Sequence, residues 1–429
     1  MAFSMSVEEL LSSRGVPMRV SVGDARVAVS AALMNASPSI ERVALDNALG
    51  RILAEDLCSS HSLPPFANSA MDGFAFRHAD MSVESDPVLQ CVGESRAGLR
   101  FTGRLAPGQC VRISTGAAMP ADADTVVIQE DTQRSGEQVR LRQLPTVGAN
   151  VRKAGEECAA GALLLSRGRV LGARALALAA TAGRQELRVL ARPRVAILTT
   201  GDELALPGQA LGPGQIYDSN SALLHALILD AGGYPLPATQ ATADDPQRLL
   251  HALRRAAAAA DLVLTTGGAS VGDHDHLPSL LAEHGSVHFW KVRMKPGMPA
   301  LFGELAGKPV LALPGNPVSV FATFRVLVRA ALSALQGLAP VEPLRWKARL
   351  LVPLRKTHQR AEFLRGIHNI DSQGQLWVRP LSGQESHRSV ALLQASVLLC
   401  LPEAEVELAA GALVEVEPLF ARPETEVRL

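Results

Sequence analysis

The sequence predicts a multidomain α/β plus β protein: a central three-layer α/β domain with a mostly parallel sheet, a β-rich inserted domain, an extended helical part and a small C-terminal β-barrel. Three observations carry this expectation. Strand-like and helix-like runs alternate from Arg192 to about Leu335, a β-textured stretch interrupts helical segments in the first half, and short alternating runs fill the chain after Pro343. At 429 residues the chain also exceeds what one compact core accommodates.

Residues 20–58 and 150–188 are expected to form the extended helical domain, with helices at about 23–34, across Leu45–Leu57 and across Gly172–Ala182. Between them, residues 59–149 read as an inserted β-rich domain. Its runs Val88–Val92, Val111–Ile113, Thr125–Ile128 and Val139–Leu141 are separated by Gly, Pro and Asp. Residues 189–338 form the α/β domain. There Val195–Leu198 is a buried strand that ends in Thr199-Thr200-Gly201, and Asp218-Ser219 caps a helix over Asn220–Ala231 that stops at Gly232-Gly233. Asp244-Asp245-Pro246 starts a second helix, an acidic cap followed by proline in the first turn, which runs through the alanine tract Ala256–Ala260. The strand Leu262–Leu264 ends in Thr265-Thr266-Gly267-Gly268. The strand Val310–Leu313 ends in Pro314-Gly315-Asn316-Pro317, and a helix follows to about Leu335. Residues 343–429 alternate over Arg345–Val352, Leu376–Val378, Val397–Leu401 and Leu413–Val416, which suits a small barrel or sandwich.

Composition narrows the partners. Lys plus Arg and Asp plus Glu both number 42, so a general nucleic-acid or anionic-membrane binder, which needs a basic excess, is not expected. Five dispersed cysteines without a C-x-x-C pair read as reduced thiols of a cytoplasmic protein. The start carries Glu8 and Glu9 rather than a basic stretch before an apolar run, so no signal peptide is expected. No uninterrupted apolar run reaches the ~20 residues of a membrane helix.

The chemistry is expected where the three central strands end. Ligands of open α/β sheets bind at that edge, glycine lets backbone N–H groups approach a phosphate, and a helix N-terminus adds partial positive charge. A single Gly-rich turn is most often only a tight turn; three at equivalent positions are harder to dismiss. Acidic residues accompany them: Asp202 and Glu203 after the first turn, Asp244 and Asp245 before a helix, Asp273 and Asp275 after the second. A hard divalent cation that bridges phosphate oxygens needs one or two such carboxylates, although Asp245 also reads as a simple helix cap. His274 and His276 alternate with Asp273 and Asp275, but no further zinc ligand follows at a recognisable spacing. Lys291, Arg293 and Lys295 alternate, so an extended strand would place them on one face, either as a solvated edge or, with the Pro296-Gly297 turn beyond, as an anion site. The segment His61–Ala75 is a turn-rich loop around one carboxylate, Asp72.

Taken together, Asn68-Ser69-Ala70-Met71-Asp72-Gly73, Ile113-Ser114-Thr115-Gly116, Thr200-Gly201-Asp202-Glu203-Leu204, Tyr217-Asp218-Ser219-Asn220, Gly267 to Gly272, Lys295-Pro296-Gly297, Leu313 to Ser319 and Glu362-Phe363-Leu364-Arg365-Gly366 resemble the molybdopterin molybdenumtransferase family, whose eukaryotic relatives include the C-terminal part of gephyrin. The resemblance implies Mg²⁺-dependent insertion of molybdate into adenylyl-molybdopterin, with release of AMP, in a cytoplasmic homodimer whose site is shared between subunits. It makes residues 189–338 a molybdopterin-binding-like domain and the extended part the dimerisation domain. It implies catalytic roles for Asp72, Thr115, Glu203, Asp244 and Asp275, with Glu203, Asp244 and Asp275 as the metal ligands. Substrate contacts are implied for Lys291, Lys295, Pro299, Ser319, Arg365 and Ser386, with the glycine turns supplying Gly267, Gly268, Ser270, Gly272, Gly315 and Asn316. A molybdopterin adenylyltransferase and apo-molybdoenzymes are the implied further partners. The chain departs from the family pattern at Met298, where relatives often carry lysine, and at Val390 and Ala391, where many carry serine. Two other readings use the same residues: the adenylyltransferase of the preceding step, which leaves Asn68–Gly73 and Arg365 unexplained, and a partner-binding scaffold.

Overall fold

The computed structural model describes residues 6–81, 88–241, 245–268, 276–339 and 342–419. The chain forms two compact units, residues 42–189 and the remainder.

In the larger unit an eight-stranded sheet runs Met18–Val20, Gly285–Val292, Leu301–Leu305, Lys308–Leu313, Leu262–Thr266 and Arg194–Thr200, with Tyr234–Pro235 and Thr239–Ala241 both beside the last. Only Leu301–Leu305 runs antiparallel to its neighbours. The sheet's alternation builds the three layers. Val195, Ile197, Leu262, Leu264, Leu311 and Leu313 point to one face, against the helices Val22–Leu33, Ser219–Asp230 and the run from Pro317 to Leu335. Ala196, Leu198, Val263, Val310 and Ala312 point to the other, against Pro246–Ala259, Leu277–His284 and the short N-terminal helix through Leu11.

The helix starts follow the sequence. Asp218 accepts from the Ser221 N–H at 3.0 Å, and Asp245 accepts from Gln247 and Arg248 at 2.9 and 3.1 Å, with Pro246 in the first turn. The run Pro317–Leu335 is long and apolar enough to cross a membrane, but 78% of it is buried as the core helix of this domain.

After the α/β domain, five strands close on themselves: Ala361–Ile370, Leu376–Pro380, Trp346–Leu350, Leu413–Pro418, Val397–Leu401 and back to the first. The longest of these, Ala361–Ile370, went unread in the sequence because its first six residues are all buried. Phe363 faces the α/β core and Leu364 the barrel interior, so no apolar–polar alternation marks it. Its first residues also pair with Met294 and Lys295, which joins the barrel to the turn after Lys295.

The smaller unit holds a six-stranded sheet in the order Thr125–Ile128, Gly73–Phe76, Gln109–Ile113, Val88–Ser95, Gln138–Leu141 and Thr132–Ser135. Beside it, Leu57–Cys58 pairs with Leu163–Leu165 and Asn68–Ser69 with Val151–Arg152. The helix Ala173–Thr181 lies over Leu53, Leu57, Leu165 and Leu187. Two expectations for the extended part need correction. The helix expected across Leu45–Leu57 is a single 3-10 turn, Leu45–Asn47. Gly50 then takes φ +73°, and Leu53 continues as extended chain bridged to Val189. Apolar spacing imitated a helix, while a left-handed glycine ended it. The helix Val22–Leu33, expected with residues 150–188, instead packs Ala25, Val29 and Leu33 into the α/β core.

An ion cluster ties the barrel to that core. Glu417, only 3% exposed, accepts from Arg325 Nε at 2.7 Å and from Arg329 Nη1 at 3.1 Å. Removing one member of a buried set leaves the others uncompensated. Glu417→Gln is expected to lower unfolding stability by about 3 kcal/mol in urea denaturation; an unchanged midpoint would show that the cluster contributes nothing.

Candidate functional site

Three strands of the α/β domain end side by side, and their turns close on one another through glycine. Thr199 and Thr200 are buried: Thr199 Oγ1 donates to Asp218 Oδ2 at 3.0 Å, and Thr200 Oγ1 to the Thr266 carbonyl at 3.1 Å. Gly267 sits at φ +83°, and a Cβ there would lie 2.6 Å from the Thr200 carbonyl oxygen, so the second turn tolerates only glycine. Its N–H donates to Leu313 O at 3.3 Å, and a Cβ on Gly315 would lie 3.9 Å from the Gly267 Cα. Gly268 continues left-handed at φ +66°. The second and third turns are therefore in backbone contact. Asn220, from the helix capped by Asp218, donates to Gly315 O at 2.6 Å, while its buried Oδ1 has no hydrogen-bond partner among the described residues. An unmet buried acceptor is rare and calls for a donor.

Glu203 is exposed and folds back over the first turn, its carboxylate within 3 Å of where a Gly201 Cβ would be. Of its expected companions, Asp244, Asp275, Ser270 and Gly272 lie outside the described residues. Among the described residues no group of three or more His, Cys, Asp or Glu side chains could hold a metal ion. Magnesium binds through one or two carboxylates and completes its shell with water or phosphate oxygens, and Glu203 is a carboxylate of that kind.

The barrel reaches the third turn. Asn316 Nδ2 donates to Ser386 Oγ at 2.9 Å, and the Val318 N–H to Ser386 O at 3.3 Å. Arg365 was expected to clamp an oxyanion, but it is 1% exposed. Its guanidinium donates to the carbonyls of Arg388 at 2.9 Å, Gly383 at 2.9 Å and Glu385 at 3.1 Å. Its fork is spent on the loop that carries Ser386, so it positions that hydroxyl rather than touching an anion.

Lys295 lies at the same sheet edge. Its Nζ is 2.9 Å from Glu362 Oε1, and the lysine side chain is 44% exposed. Gly297, at φ +111°, brings the turn against Thr323; a Cβ would lie 2.5 Å from Thr323 Oγ1. Pro299 is half-buried in the same turn, and Ser319, 5% exposed, stands one helical turn before Thr323. Lys291 differs from its expected role. It is 5% exposed, its Nζ is bonded to Glu8 of the N-terminal helix, and it lies 4.3 Å from the Trp290 ring centroid. The hydrogen bond and charge of Lys291 hold the Glu8 carboxyl below the usual range. Glu8 and Glu362 were not anticipated as partners, since neither lies near its lysine in sequence.

In the smaller unit the loop Asn68–Gly73 is built around its own turn. Ser69 Oγ donates to Met71 O at 2.6 Å, and a Cβ on Gly73 would lie 1.9 Å from Val127 O. Asp72 Oδ1 accepts from Thr115 N at 2.6 Å and from Thr115 Oγ1 at 3.0 Å. These bonds, the backbone one foremost, hold the Asp72 carboxyl below the ordinary aspartate range, so it stands ready as an anion and not as an acid.

Comparison with known proteins covers nearly the whole chain. The MoeA N-terminal region (domain I and II) matches residues 20–183, a probable molybdopterin binding domain matches 196–334, and the MoeA C-terminal region (domain IV) matches 347–419. Molybdopterin molybdenumtransferase 2 of Mycobacterium tuberculosis is 40% identical over 385 residues, which span 87% of this chain and 94% of that protein. The molybdopterin molybdenumtransferase of Haemophilus influenzae is 35% identical over 387 residues, spanning 88% and 93%. Two crystal structures of molybdopterin biosynthesis MoeA proteins from Pyrococcus horikoshii superpose with TM-scores of 0.77 and 0.78 at 32% and 26% identity, covering 93% of this chain and 98% and 100% of theirs. The chain belongs to the molybdopterin molybdenumtransferase family, transferases of molybdenum cofactor biosynthesis.

Proposed function

We propose that the protein inserts molybdate into adenylyl-molybdopterin and releases AMP and molybdenum cofactor, with Mg²⁺ as cofactor, in the cytoplasm. The observation that carries this reading is the meeting of two glycine turns in backbone contact with an exposed carboxylate on a third, at one sheet edge that also bears Lys295. Main-chain N–H groups of the turns bind the phosphate oxygens, where a Cβ would block approach. Ser386, held on Asn316, and Ser319 supply hydroxyl donors beside the third turn. Lys295 is a reachable cation: its side chain is half-exposed, so its ammonium meets an incoming oxyanion while it stays paired with the buried Glu362. Glu203, with Asp244 and Asp275, would hold Mg²⁺, which when bound neutralises the phosphoanhydride oxygens as that link breaks.

Within the same proposal the working form is a homodimer, and Asp72 with Thr115 closes the site of the partner subunit. A molybdopterin adenylyltransferase that supplies the adenylylated substrate and apo-molybdoenzymes that receive the product are its further partners. The depressed titration of Asp72 supports an ionised group that orients its target by accepting protons in hydrogen bonds.

Purified protein given adenylyl-molybdopterin, molybdate and Mg²⁺ is expected to release AMP in step with cofactor formation. Efficient adenylylation of molybdopterin from ATP instead would overturn the assignment. Glu203→Ala is expected to cut turnover roughly 100-fold with the fold intact, the usual cost of one preorganised electrostatic group; unchanged turnover would favour a scaffold. Asp72 yields a separate prediction. Because its folded-state value is depressed, stability from its bonds to Thr115 is present above the ordinary aspartate range and lost as pH falls below it. Thr115→Val removes the hydroxyl donor, so the Asp72 carboxyl should titrate at higher pH by NMR. An unmoved midpoint would mean that the hydroxyl bond does not matter.

A further inference from the structure

In the smaller unit a residue distant in the chain, Asn150, reaches the loop that carries Asp72. Thr125–Ile128 is the outer strand of the six-stranded sheet, so its outward hydrogen-bonding groups need partners from elsewhere. The Val126 N–H donates to Ala149 O at 3.0 Å, and Asn150 Nδ2 donates to Val126 O, also at 3.0 Å. The amide side chain thus stands in for the backbone N–H of a neighbouring strand. Asn150 itself is left-handed at φ +57°, a conformation that asparagine takes more readily than most residues with a side chain. Its own carbonyl accepts from the Ala70 N–H at 2.8 Å, two residues before Asp72.

The rest of the loop is held in the same manner. Ser69, fully buried, donates its N–H to Ala117 O at 3.0 Å and accepts from the Gly116 N–H at 2.8 Å. The Gln129 N–H donates to Asp72 O at 3.0 Å. The two residues after Asn150 continue the bracing, since Val151 pairs with Ser69 and Arg152 with Asn68. Met71 and Asp72 are exposed, so packing does not fix them; the hydrogen bonds on either side do. The carboxylate of Asp72 meets the Thr115 N–H and hydroxyl at 2.6 and 3.0 Å only while this backbone keeps its place. Asn150 is the residue that ties the loop to the sheet edge, with one group on Val126 and another on Ala70.

We propose that Asn150 is a positioning residue for the transferase reaction: its amide fastens it to the sheet edge at Val126, and its carbonyl holds Ala70 so that Asp72 stays set on Thr115. This rests on the reading of Asp72 as a group that works in the reaction. Asn150 touches no reacting atom and acts only through the loop. A working group on an exposed loop keeps its orientation through such supports, and small misplacements of it slow the reaction.

Asn150→Gly in the full-length protein tests this, because glycine keeps the left-handed backbone and removes only the amide. With adenylyl-molybdopterin, molybdate and Mg²⁺, kcat for AMP release is expected to fall about tenfold while KM stays within about twofold. The Asp72 carboxyl, followed by NMR, is expected to titrate at higher pH than in the wild type as its bonds to Thr115 loosen. Unchanged kcat, or a lowered kcat with the Asp72 titration unmoved, overturns the inference. Should the melting temperature fall, the double variant Asn150→Gly/Asp72→Asn decides. Turnover no lower than in Asp72→Asn alone supports action through Asp72, and a further tenfold loss marks general damage and overturns it. Wild-type turnover in the single variant Asp72→Asn sinks the underlying reading of Asp72, separately from anything Asn150 does.

Discussion

The α/β domain depends on how closely its backbone approaches itself at one sheet edge. Gly267 lies where a Cβ would strike Thr200, and Gly315 lies almost against Gly267. Such closeness is possible only without side chains, and it leaves peptide groups as the surface that a ligand meets. The flanking hydroxyls and amide do not face outward to replace them. Thr199 and Thr200 are turned inward to Asp218 and Thr266, and Asn220 braces Gly315 from the next helix. The polar side chains of these signatures thus hold the turns in place, while glycine does the exposing.

A second constraint couples the barrel to that edge. Arg365 gathers the carbonyls of the 383–388 loop, and the loop sets Ser386 on Asn316. The pairing of Lys295 with Glu362 continues into the barrel's longest strand. With the Glu417 cluster, which ties the barrel to the core helix, these contacts hold the tail against the third turn and the turn after Lys295.

What was legible in the sequence was what local chemistry encodes. The succession of strand-like and helix-like runs marked the sheet, Asp218 and Asp245 announced their helices, and the glycine turns marked the edge. Illegible were features set by partners distant in the chain. The strand Ala361–Ile370 lost its alternation because both of its faces are covered. The stretch from Leu45 to Leu57 kept helical spacing of apolar residues although Gly50 turns the backbone left-handed. The cap by Asp218 could be read, but not its second bond, to Thr199, 19 residues back on the strand Arg194–Thr200.

The same limit explains the basic residues, and it separates the ones that can meet an anion from the ones that cannot. Spacing paired Lys291 with Lys295, and the family resemblance added Arg365 as a further substrate contact. Burial and partner distinguish them. Lys291 lies under Trp290 and is neutralised by Glu8, and Arg365 and Lys356 hand their donors to backbone carbonyls inside the fold. Turning Arg365 or Lys356 to a substrate would leave buried carbonyls unmet, and Lys291 is itself enclosed, although its partner Glu8 is half-exposed. Lys295 is half-exposed, so its ammonium reaches solvent while it stays on the buried Glu362. Releasing it outright would strand that carboxylate, which His358 also faces. A chain neutral overall therefore offers positive charge at this sheet edge where the cation itself reaches solvent.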